Sequence, residues 1–330
     1  MNVLSLFDGI SCGKVAFERA GIPIDKYFAS EIDENAIAIS EQNHKDIIRL
    51  GDITRWKEWD LPKIDIVIGG SPCQGFSRAG KCLNFADPRS RLFFEYVDIL
   101  NAIREKNPNA LFLLENVKMK NEWKDIITEH LGVQPIEINS KLVSGQNRSR
   151  IYWTNIQGVK LPKDKGIKLE DVLEHPVIDQ NYVVQNGILF DKSISEASRN
   201  LVECVGDEIR VKQSTKQGYI VAKDGDGINL AFPTSKSRRG RVIKQKSSTI
   251  DCACNICVLQ DGVIRRLTIR ELERLQTLPE GYTKYFSETT AKKAIGNGWT
   301  VDVIAHIFTG LKKGAVDGIH RTVETSPTGL

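Results

Sequence analysis

A short loop around Cys73 carries the most informative chemistry in the sequence. An apolar run over residues 64–68 leads into Gly69-Gly70-Ser71-Pro72-Cys73-Gln74-Gly75-Phe76-Ser77. The pattern predicts a strand that ends in a tight loop and fixes a cysteine between proline and glutamine. Backbone N–H donors and nearby cations would favour the nucleophilic thiolate of Cys73, and a buried structural thiol is the alternative.

Three charged residues later in the chain suit the same chemistry. Glu115 closes an apolar run over residues 110–114, and Arg148 and Arg150 follow within Gln146-Asn147-Arg148-Ser149-Arg150. A carboxyl group can hold a proton on a reacting base or hydrogen-bond to it, and guanidinium groups can favour a thiolate. Surface ion pairs are the alternative for the two arginines.

A glycine-containing loop follows the first apolar run of the chain. Phe7-Asp8-Gly9-Ile10-Ser11-Cys12-Gly13 precedes a predicted helix over residues 14–20, and its glycines let backbone N–H groups approach a ligand closely. Glu31 closes the second strand, where a carboxylate can accept hydrogen bonds from ribose hydroxyls. Asp52 closes the third strand and could accept from an adenine amino group. The alternative for both acids is capping of the element that follows.

The same acidic residues indicate which nucleoside the loop could bind. The sequence has no Gly-x-x-x-x-Gly-Lys-Ser/Thr motif, and Asp8, Glu31 and Asp52 would repel phosphate groups. S-adenosylmethionine carries ribose, adenine and a positive sulfonium but no phosphate. We therefore predict this cofactor, with S-adenosylhomocysteine as its product.

The residues above follow the ends of predicted strands. The strands are predicted over residues 2–7, 27–31, 47–50, 64–68 and 110–114, with helical patterns between them and further strand-like runs within 139–156. This rhythm favours a mostly parallel sheet with helices on both faces, whose ligands lie beyond the carboxyl ends of the strands. The fold class is accordingly α/β and Rossmann-like, with an inserted smaller lobe.

The texture of the sequence predicts four segments. Residues 1–156 form the catalytic and cofactor-binding domain, and 157–262 form a lobe of short runs and Gly-Asp turns. Helical periodicity over 264–278 and 290–311 predicts that residues 263–313 return to the first domain. The polar residues 314–330 are predicted to be a mobile tail.

Composition favours a soluble protein of the cytoplasm. Of 330 residues, 41% are apolar and 27% are charged, which is too polar for a membrane protein. The sequence contains neither an apolar run of bilayer length nor a signal peptide at its start. Seven cysteines, an odd number, fit a reducing compartment. The net charge of +4 permits nucleic-acid binding without arguing for it.

The order of these motifs resembles that of the DNA cytosine-5 methyltransferase family. The matching motifs are Phe7 to Gly13, Pro72-Cys73, Glu115-Asn116-Val117, Gln146-x-Arg148-x-Arg150 and Gly296-Asn297-Gly298. The resemblance covers residues 1–156 and 264–313 well and the intervening lobe poorly. Residues 5–9, 69–73 and 91–95, with Trp299, also look like the catalytic domain of vertebrate de novo DNA methyltransferases, whereas residues 74–77 and the intact Gly296-Asn297-Gly298 look bacterial or viral.

The resemblance implies roles for the individual residues. Cys73 would add to carbon 6 of cytosine so that carbon 5 can attack the sulfonium methyl, and Glu115 would bind the N3 and amino edge. Arg148 and Arg150 would line the base pocket. No side chain in these motifs is an obvious base for removing the carbon 5 proton, and we assign that step to water. The cofactor residues would be Phe7, Asp8, Gly9, Ile10, Cys12, Gly13, Glu31, Ile32, Asp52, Ile53, Pro72, Leu92, Asn297 and Trp299.

The lobe over residues 157–262 occupies the place of a target-recognition domain. A base inside a duplex must be swung out of the stack to reach the nucleophile, and the run from Lys236 to Lys246 holds six basic residues that could grip double-stranded DNA. A solvated loop is the alternative. The implied substrate and DNA contacts are Gln74, Ser77, Asn116, Val117, Gln146, Arg238, Arg239 and Arg241.

A second group of cysteines raises the question of a metal. Cys252, Cys254 and Cys257 lie close together in sequence, but structural zinc needs four ligands and no fourth partner is nearby. We expect no metal and favour a strand with small residues facing the core.

Two other functions compete with DNA methylation. An RNA cytosine methyltransferase of the same fold would retain every catalytic residue, although the inserted lobe of roughly a hundred residues favours DNA. A non-catalytic DNA-binding relative is disfavoured by the joint presence of Cys73, Glu115, Arg148 and Arg150. The expected setting is a bacterial or phage-infected cell, with a cognate restriction endonuclease or phage self-protection as the context.

Overall fold

The computed structural model describes residues 1–72, 88–175, 181–237, 239–252 and 255–323, and gives only secondary structure for 88–90 and 313–323. Several predicted site residues lie outside the described residues. They are Cys73, Gln74, Ser77, Arg238 and Cys254.

The chain divides into two compact units. The first comprises Met1–Ile138, Ser149–Pro162 and Trp299–Leu330, and the second comprises Asn139–Arg148 and Lys163–Gly298. In chain order, the elements are β1 (Asn2–Leu6), α1 (Cys12–Ala20), β2 (Lys26–Ser30), α2 (Glu34–Asn43), β3 (Ile48–Arg49), β4 (Ile66–Gly70), α3 (Pro88–Lys106), β5 (Leu111–Val117), α4 (Asn121–Leu131), β6 (Ile136–Asn139), β7 (Ser149–Thr154), β8 (Tyr182–Gln185), β9 (Ile188–Asp191), α5 (Glu196–Arg199), β10 (Val202–Val205), β11 (Glu208–Lys212), β12 (Tyr219–Ala222), β13 (Gly227–Asn229), β14 (Arg241–Ile243), β15 (Ile256–Gln260), β16 (Val263–Arg266), α6 (Ile269–Leu275), α7 (Glu288–Asn297) and α8 (Val301–Val323).

A seven-stranded sheet forms the centre of the first unit. Its order is β3-β2-β1-β4-β5-β7-β6, in which β1 to β5 are parallel and β7 runs antiparallel to β5. The strand order reverses beside β1, which pairs with β2 on one side and β4 on the other. Ligands of such sheets bind beyond the carboxyl ends of the strands at this switch point.

Helices cover both faces of this sheet, as the sequence predicts. Val67 packs with Phe93 of α3 in the main hydrophobic cluster. Ile68 points to the opposite face, where its Cδ1 would stand 2.5 Å from a Cβ added to Gly13 of α1. Because both faces are covered, the central strands are apolar almost throughout, which is the signal that located them in the sequence.

The two later helical predictions need correction at their boundaries. The predicted helix over 264–278 begins only at Ile269, because Val263 and Ile264 pair with β9 as part of β16. Thr268 then starts α6 with a capping box that it forms with Glu271. The helical pattern over 290–311 is two helices, α7 and α8, and α8 continues to Val323 into the predicted tail.

The helices of the last segment are divided between the two units. α8 belongs to the first unit, where Phe308 stacks on Phe17 of α1 with ring centroids 4.0 Å apart. α6 and α7 belong to the second unit. In that unit Glu271 of α6 forms a buried ion pair with Arg265 at 2.6 Å.

The second unit is built from two sheets. One has the order β10-β11-β12 and the other has the order β14-β13-β15-β16-β9-β8. Its core includes Phe190, Val202 and Ile228. Across the described helices of the whole chain, no apolar stretch is long enough to cross a bilayer.

Candidate active site

Two glycines end β4 in close contact with their surroundings. A Cβ on Gly69 would stand 2.8 Å from the carbonyl oxygen of Leu6, and one on Gly70 would stand 3.0 Å from both Glu115 Oε2 and Trp299 Nε1. Any side chain at these positions would force neighbouring atoms to move. The segment that leads to Cys73 therefore begins against the carboxyl end of β5.

The Glu115 carboxylate is held by two side chains of the first unit. Its Oε1 lies 3.0 Å from Arg150 Nε, and its Oε2 accepts a hydrogen bond from Trp299 Nε1 at 3.2 Å. Glu115 is only 9% exposed, and it stands near the carboxyl end of β5, opposite Gly70 of β4. The geometry brings together three residues that the sequence predicted for the site.

A hydrogen bond between Asn116 of β5 and Ser71, the residue directly after β4, connects these two parts of the chain. Asn116 Nδ2 donates to Ser71 Oγ at 3.2 Å, and its Oδ1 accepts from the backbone N–H of Val117 at 2.8 Å. Both side chains are buried. Asn116 therefore holds the segment before Pro72, and its substrate contact stays a prediction.

The loop after β1 has an unusual backbone. Phe7, Gly9 and Ser11 all have φ near +60°, which is uncommon for residues other than glycine and for a phenylalanine in particular. Asp8 between them has a wholly buried side chain. The side chains of Ile10 and Cys12 are also buried, so a ligand of this loop would meet mainly its backbone.

Glu31 binds the backbone on both of its oxygens. Oε2 accepts from the N–H of Gly9 at 2.8 Å, and Oε1 accepts from Ile32 at 2.8 Å and Asp33 at 2.9 Å. The capping of α2 is performed by Asp33. Glu31 thus joins the ends of β1 and β2 at the switch point, where Ile32 presents an apolar side chain that is 70% exposed.

Asp52 has the capping contact that the sequence offered as its alternative role. Its carboxylate accepts from the backbone N–H of Thr54 at 2.9 Å at the start of a 3-10 helix over Ile53–Glu58. Ile53 is buried in the main cluster, against which Leu92 and Phe7 also pack.

Arg148 and Gln146 belong to the second unit, and both are buried. Arg148 donates to the carbonyl oxygens of Ile250 at 2.8 Å and Gly298 at 3.0 Å. Gln146 Oε1 accepts from the N–H of Ile250 at 3.0 Å. These contacts are to backbone atoms, and the base-pocket role of Arg148 and the DNA contact of Gln146 stay predictions.

Gln276 completes this group and was not predicted from the sequence. Its Nε2 donates to the carbonyl oxygens of Ile295 at 2.9 Å and Gly298 at 3.0 Å, and its Oε1 accepts from Gln146 at 3.2 Å. The sequence signal that could have found it is its position as the residue directly after α6, an amphipathic helix. Arg148 and Gln276 thus fasten the backbone on either side of Asn297, which is exposed and accepts from Cys252 Sγ at 2.9 Å.

The basic run of the second unit splits into two kinds of residue. Lys236 and Arg241 are exposed, and Arg239 is half-buried. Lys244 instead pairs with Asp226 at 2.9 Å, and Lys246 donates to the carbonyl oxygens of Lys141 at 2.9 Å and Ser144 at 3.0 Å. Burial lowers the pKa of the Lys246 ammonium.

Two of the three clustered cysteines are described. Cys257 lies on β15 and is buried, which raises the pKa of its thiol to about 12, and Cys252 is exposed before the strand. The buried position of Cys257 agrees with the predicted core-facing strand. Among the residues that the structure describes, no group of His, Cys, Asp and Glu side chains is arranged to hold a metal ion.

Comparisons with known proteins agree with one another. The chain is 31% identical over 326 residues to the type II methyltransferase M1.ScrFI of Lactococcus lactis subsp. cremoris, covering 92% of this chain and 76% of that protein. It is 31% identical to the type II methyltransferase M.HpaII of Haemophilus parainfluenzae, covering 91% and 86%.

A solved structure shares the fold at lower identity. The Entamoeba histolytica methyltransferase EhMeth has a TM-score of 0.62 at 17% identity, covering 96% of this chain and 98% of that one. A family model for C-5 cytosine-specific DNA methylases matches residues 1–313. The chain, with its Rossmann-like sheet, therefore belongs to the C-5 cytosine-specific DNA methylase family.

Proposed function

We propose that Cys73 and Glu115 carry out methylation of carbon 5 on a cytosine flipped out of duplex DNA. The observation that carries the proposal is the Glu115 carboxylate, which Arg150 and Trp299 hold at the end of β5. It lies beside Gly70, which precedes the cysteine by three residues in the sequence. A nucleophile and an acid that binds the base are the two groups that this reaction requires.

Cys73 supplies electron density that cytosine lacks. Its thiolate forms a bond to carbon 6, and the electron pair of the carbon 5–carbon 6 double bond makes carbon 5 nucleophilic. After carbon 5 has gained the methyl group of S-adenosylmethionine, with S-adenosylhomocysteine as the leaving group, water takes the carbon 5 proton. The electron pair of that carbon–hydrogen bond re-forms the carbon 5–carbon 6 double bond. The carbon 6–sulfur bond then breaks and the thiolate is released.

Glu115 stabilises the charge that accumulates on the ring. A carboxyl group hydrogen-bonded to N3 and the amino group neutralises charge at the edge opposite carbon 6. Arg150 and Trp299 fix its orientation before substrate arrives, which removes part of the entropic cost of reaching the reactive geometry. Arg148 is a positioning residue in this proposal, since it holds the backbone around Asn297.

The loop after β1 and the end of β2 fit S-adenosylmethionine, which supplies an electrophilic methyl group when bound. Gly9 has open space where a side chain would stand, and Glu31 stands where ribose binds in this fold. The exposed Ile32 offers an apolar surface for adenine. Pro72, Leu92, Asn297 and Trp299 complete the proposed cofactor residues.

We assign target recognition to the second unit. Its exposed basic residues can contact phosphates or base edges, and Gln74 and Ser77 are proposed to face the substrate near Cys73. The named relatives are type II methyltransferases. We propose by extension that this chain protects DNA against a cognate restriction endonuclease.

The experiment that tests the proposal compares wild type with Cys73→Ser. Tritium transfer from labelled S-adenosylmethionine is measured on duplex DNA and on transfer RNA. We expect transfer to duplex DNA by wild type and none by the variant, which should still bind cofactor and DNA. A duplex containing 5-fluorocytosine should trap wild type covalently, because fluorine cannot leave as a cation. Normal turnover by Cys73→Ser would refute the covalent route. Labelling of transfer RNA and not of duplex DNA would refute the assignment of DNA as the substrate.

A further inference from the structure

The buried carboxylate of Asp8 connects the loop after β1 to three neighbouring elements. Its Oδ1 accepts from Ser5 Oγ at 2.7 Å on β1 and from Tyr27 OH at 2.9 Å on β2. Its Oδ2 accepts from Ser11 Oγ at the start of α1. Burial raises the pKa of Asp8, and these donors favour its ionised form. Four hydrogen-bonded side chains thus meet beneath the loop that we assign to the cofactor.

Arg49, at the end of β3, brings a cation to the Asp8 carboxylate. Its Nη1 lies 3.4 Å from Asp8 Oδ2, and its Nη2 donates to Ser40 Oγ of α2 at 2.5 Å. Ser40 is fully buried and is also hydrogen-bonded to Ser11. The guanidinium therefore reaches Ser11 by two routes, through Asp8 and through Ser40.

Ser11 shows why this arrangement matters for the loop. It is the N-cap of α1, yet its φ is +60° and its hydroxyl makes no capping hydrogen bond. The hydroxyl is directed to Asp8 and Ser40 instead. A left-handed conformation at a residue with a side chain persists only where surrounding contacts hold it.

We propose that Arg49 is a positioning residue for the cofactor loop. Through Asp8 and Ser40 it fixes Ser11, and so fixes the alternating left-handed backbone of Phe7, Gly9 and Ser11 against which S-adenosylmethionine is proposed to bind. This inference rests on the proposed function of the loop. It assigns a role in cofactor binding to a residue of β3 that no sequence motif identified.

The test measures S-adenosylmethionine affinity by calorimetric titration of the full chain. Arg49→Gln removes the cation, Arg49→Lys retains the charge but cannot reach both partners, and Ser40→Ala removes one hydroxyl. We expect Arg49→Gln to raise the Kd for the cofactor roughly tenfold, with Arg49→Lys and Ser40→Ala in between. Arg55→Gln is the matched control, because Arg55 also pairs with a carboxylate of the first unit but is 69% exposed.

Steady-state kinetics separates positioning from general destabilisation. The KM for S-adenosylmethionine should rise for Arg49→Gln, while the KM for DNA and the kcat at saturating cofactor stay near wild type. In an Asp8→Asn background the same change should add little, because the two residues act in one network.

Three results would overturn the inference. The first is wild-type cofactor affinity in folded Arg49→Gln. The second, where that variant does not fold, is wild-type affinity in Ser40→Ala. The third is a wild-type protein that binds no S-adenosylmethionine, which would overturn the proposed function as well and is recognised from the wild-type titration alone.

Discussion

Arg150 Nε lies 3.0 Å from Glu115 Oε1, and both side chains are largely buried. The pair bridges antiparallel strands diagonally, since Glu115 stands opposite Tyr152 and Arg150 stands opposite Val117. Alternation along each strand puts both side chains on one face of the sheet. The orientation of the carboxylate is therefore built into the register of β5 and β7.

Replacing Arg150 should impair the chemical step more than binding. Arg150→Gln removes the cation, which is one of the two side-chain contacts that orient Glu115, so we expect the single-turnover rate of methyl transfer to fall about 10- to 100-fold. The Kd values for DNA and cofactor should change much less. Lys118→Gln is the matched control, because Lys118 pairs with Glu137 across an exposed surface. A wild-type rate for Arg150→Gln would show that the ion pair serves packing alone.

Trp299 allows its two contacts to be separated. Its Nε1 donates to Glu115, and its ring edge would stand 3.5 Å from a Cβ on Gly13. Trp299→Phe keeps a ring but removes the donor, so the rate should fall about tenfold while cofactor affinity stays within about twofold. Trp299→Ala should impair both. Equal rates for wild type and Trp299→Phe would remove the indole N–H from the mechanism.

Asp52 and Glu31 call for different substitutions because their contacts differ. Asp52→Ser retains a side chain able to cap the 3-10 helix but removes the carboxylate, so weaker cofactor binding in this variant would report a direct contact. Glu31→Ala should weaken S-adenosylmethionine binding more than DNA binding. Calorimetric titration measures both affinities. Unchanged cofactor affinity in both variants would show that Asp52 and Glu31 serve only the backbone contacts seen in the structure.

The sequence predicts the sheet of the first unit well because its strands carry continuous apolar runs. The same strand ends then place Glu115, Glu31 and the loop after β1 at one edge. The structure adds what spacing cannot reveal, which is the direction of each side chain. Arg148 and Arg150 are two residues apart, yet Arg150 reaches Glu115 whereas Arg148 binds carbonyl oxygens in the second unit.

Residues that act from within the protein were not predicted. Gln276 and Arg49 carry no motif, and their partners are distant in sequence, such as Gly298 and Asp8. The boundary at Thr268 was also missed, because apolar residues of β16 continue the periodicity of α6. A capping box within that run is the local signal for the start of the helix.

His44 should make stability depend on pH. Burial lowers its pKa to about 4 from 6.5, so the unfolded chain binds the proton more readily between these values. Stability contributed by neutral His44 is therefore present above pH 6.5 and lost as the pH falls toward 4. Urea unfolding at pH 7 and pH 5 should show that His44→Gln reduces this loss by about 2 kcal/mol. An equal loss of stability between pH 7 and pH 5 in wild type and variant would contradict the assignment.

In the basic run of the second unit, we expect the residues without the internal contacts of Lys244 and Lys246 to be the ones that bind DNA. Lys236, Arg239 and Arg241 are available to DNA, so replacing each with Gln should weaken DNA binding. A plot of the logarithm of the DNA-binding constant against the logarithm of salt concentration should also become less steep, by about one unit of slope for each phosphate interaction that a substitution removes. An arginine that reads a base would instead change which sequences are methylated. Cofactor affinity should not change in any of the three.

Lys244 and Lys246 supply internal controls of the same charge. Lys246→Gln leaves the carbonyl oxygens of Lys141 and Ser144 without their donor, so the free energy of unfolding should fall by about 1–2 kcal/mol while the salt slope is retained. Lys244→Gln likewise breaks an ion pair with buried Asp226. DNA affinity against salt, with sequencing of methylated sites, distinguishes the two groups. If all five variants keep the wild-type slope and site preference, the run is a solvated segment, and DNA must be read by other residues of the second unit.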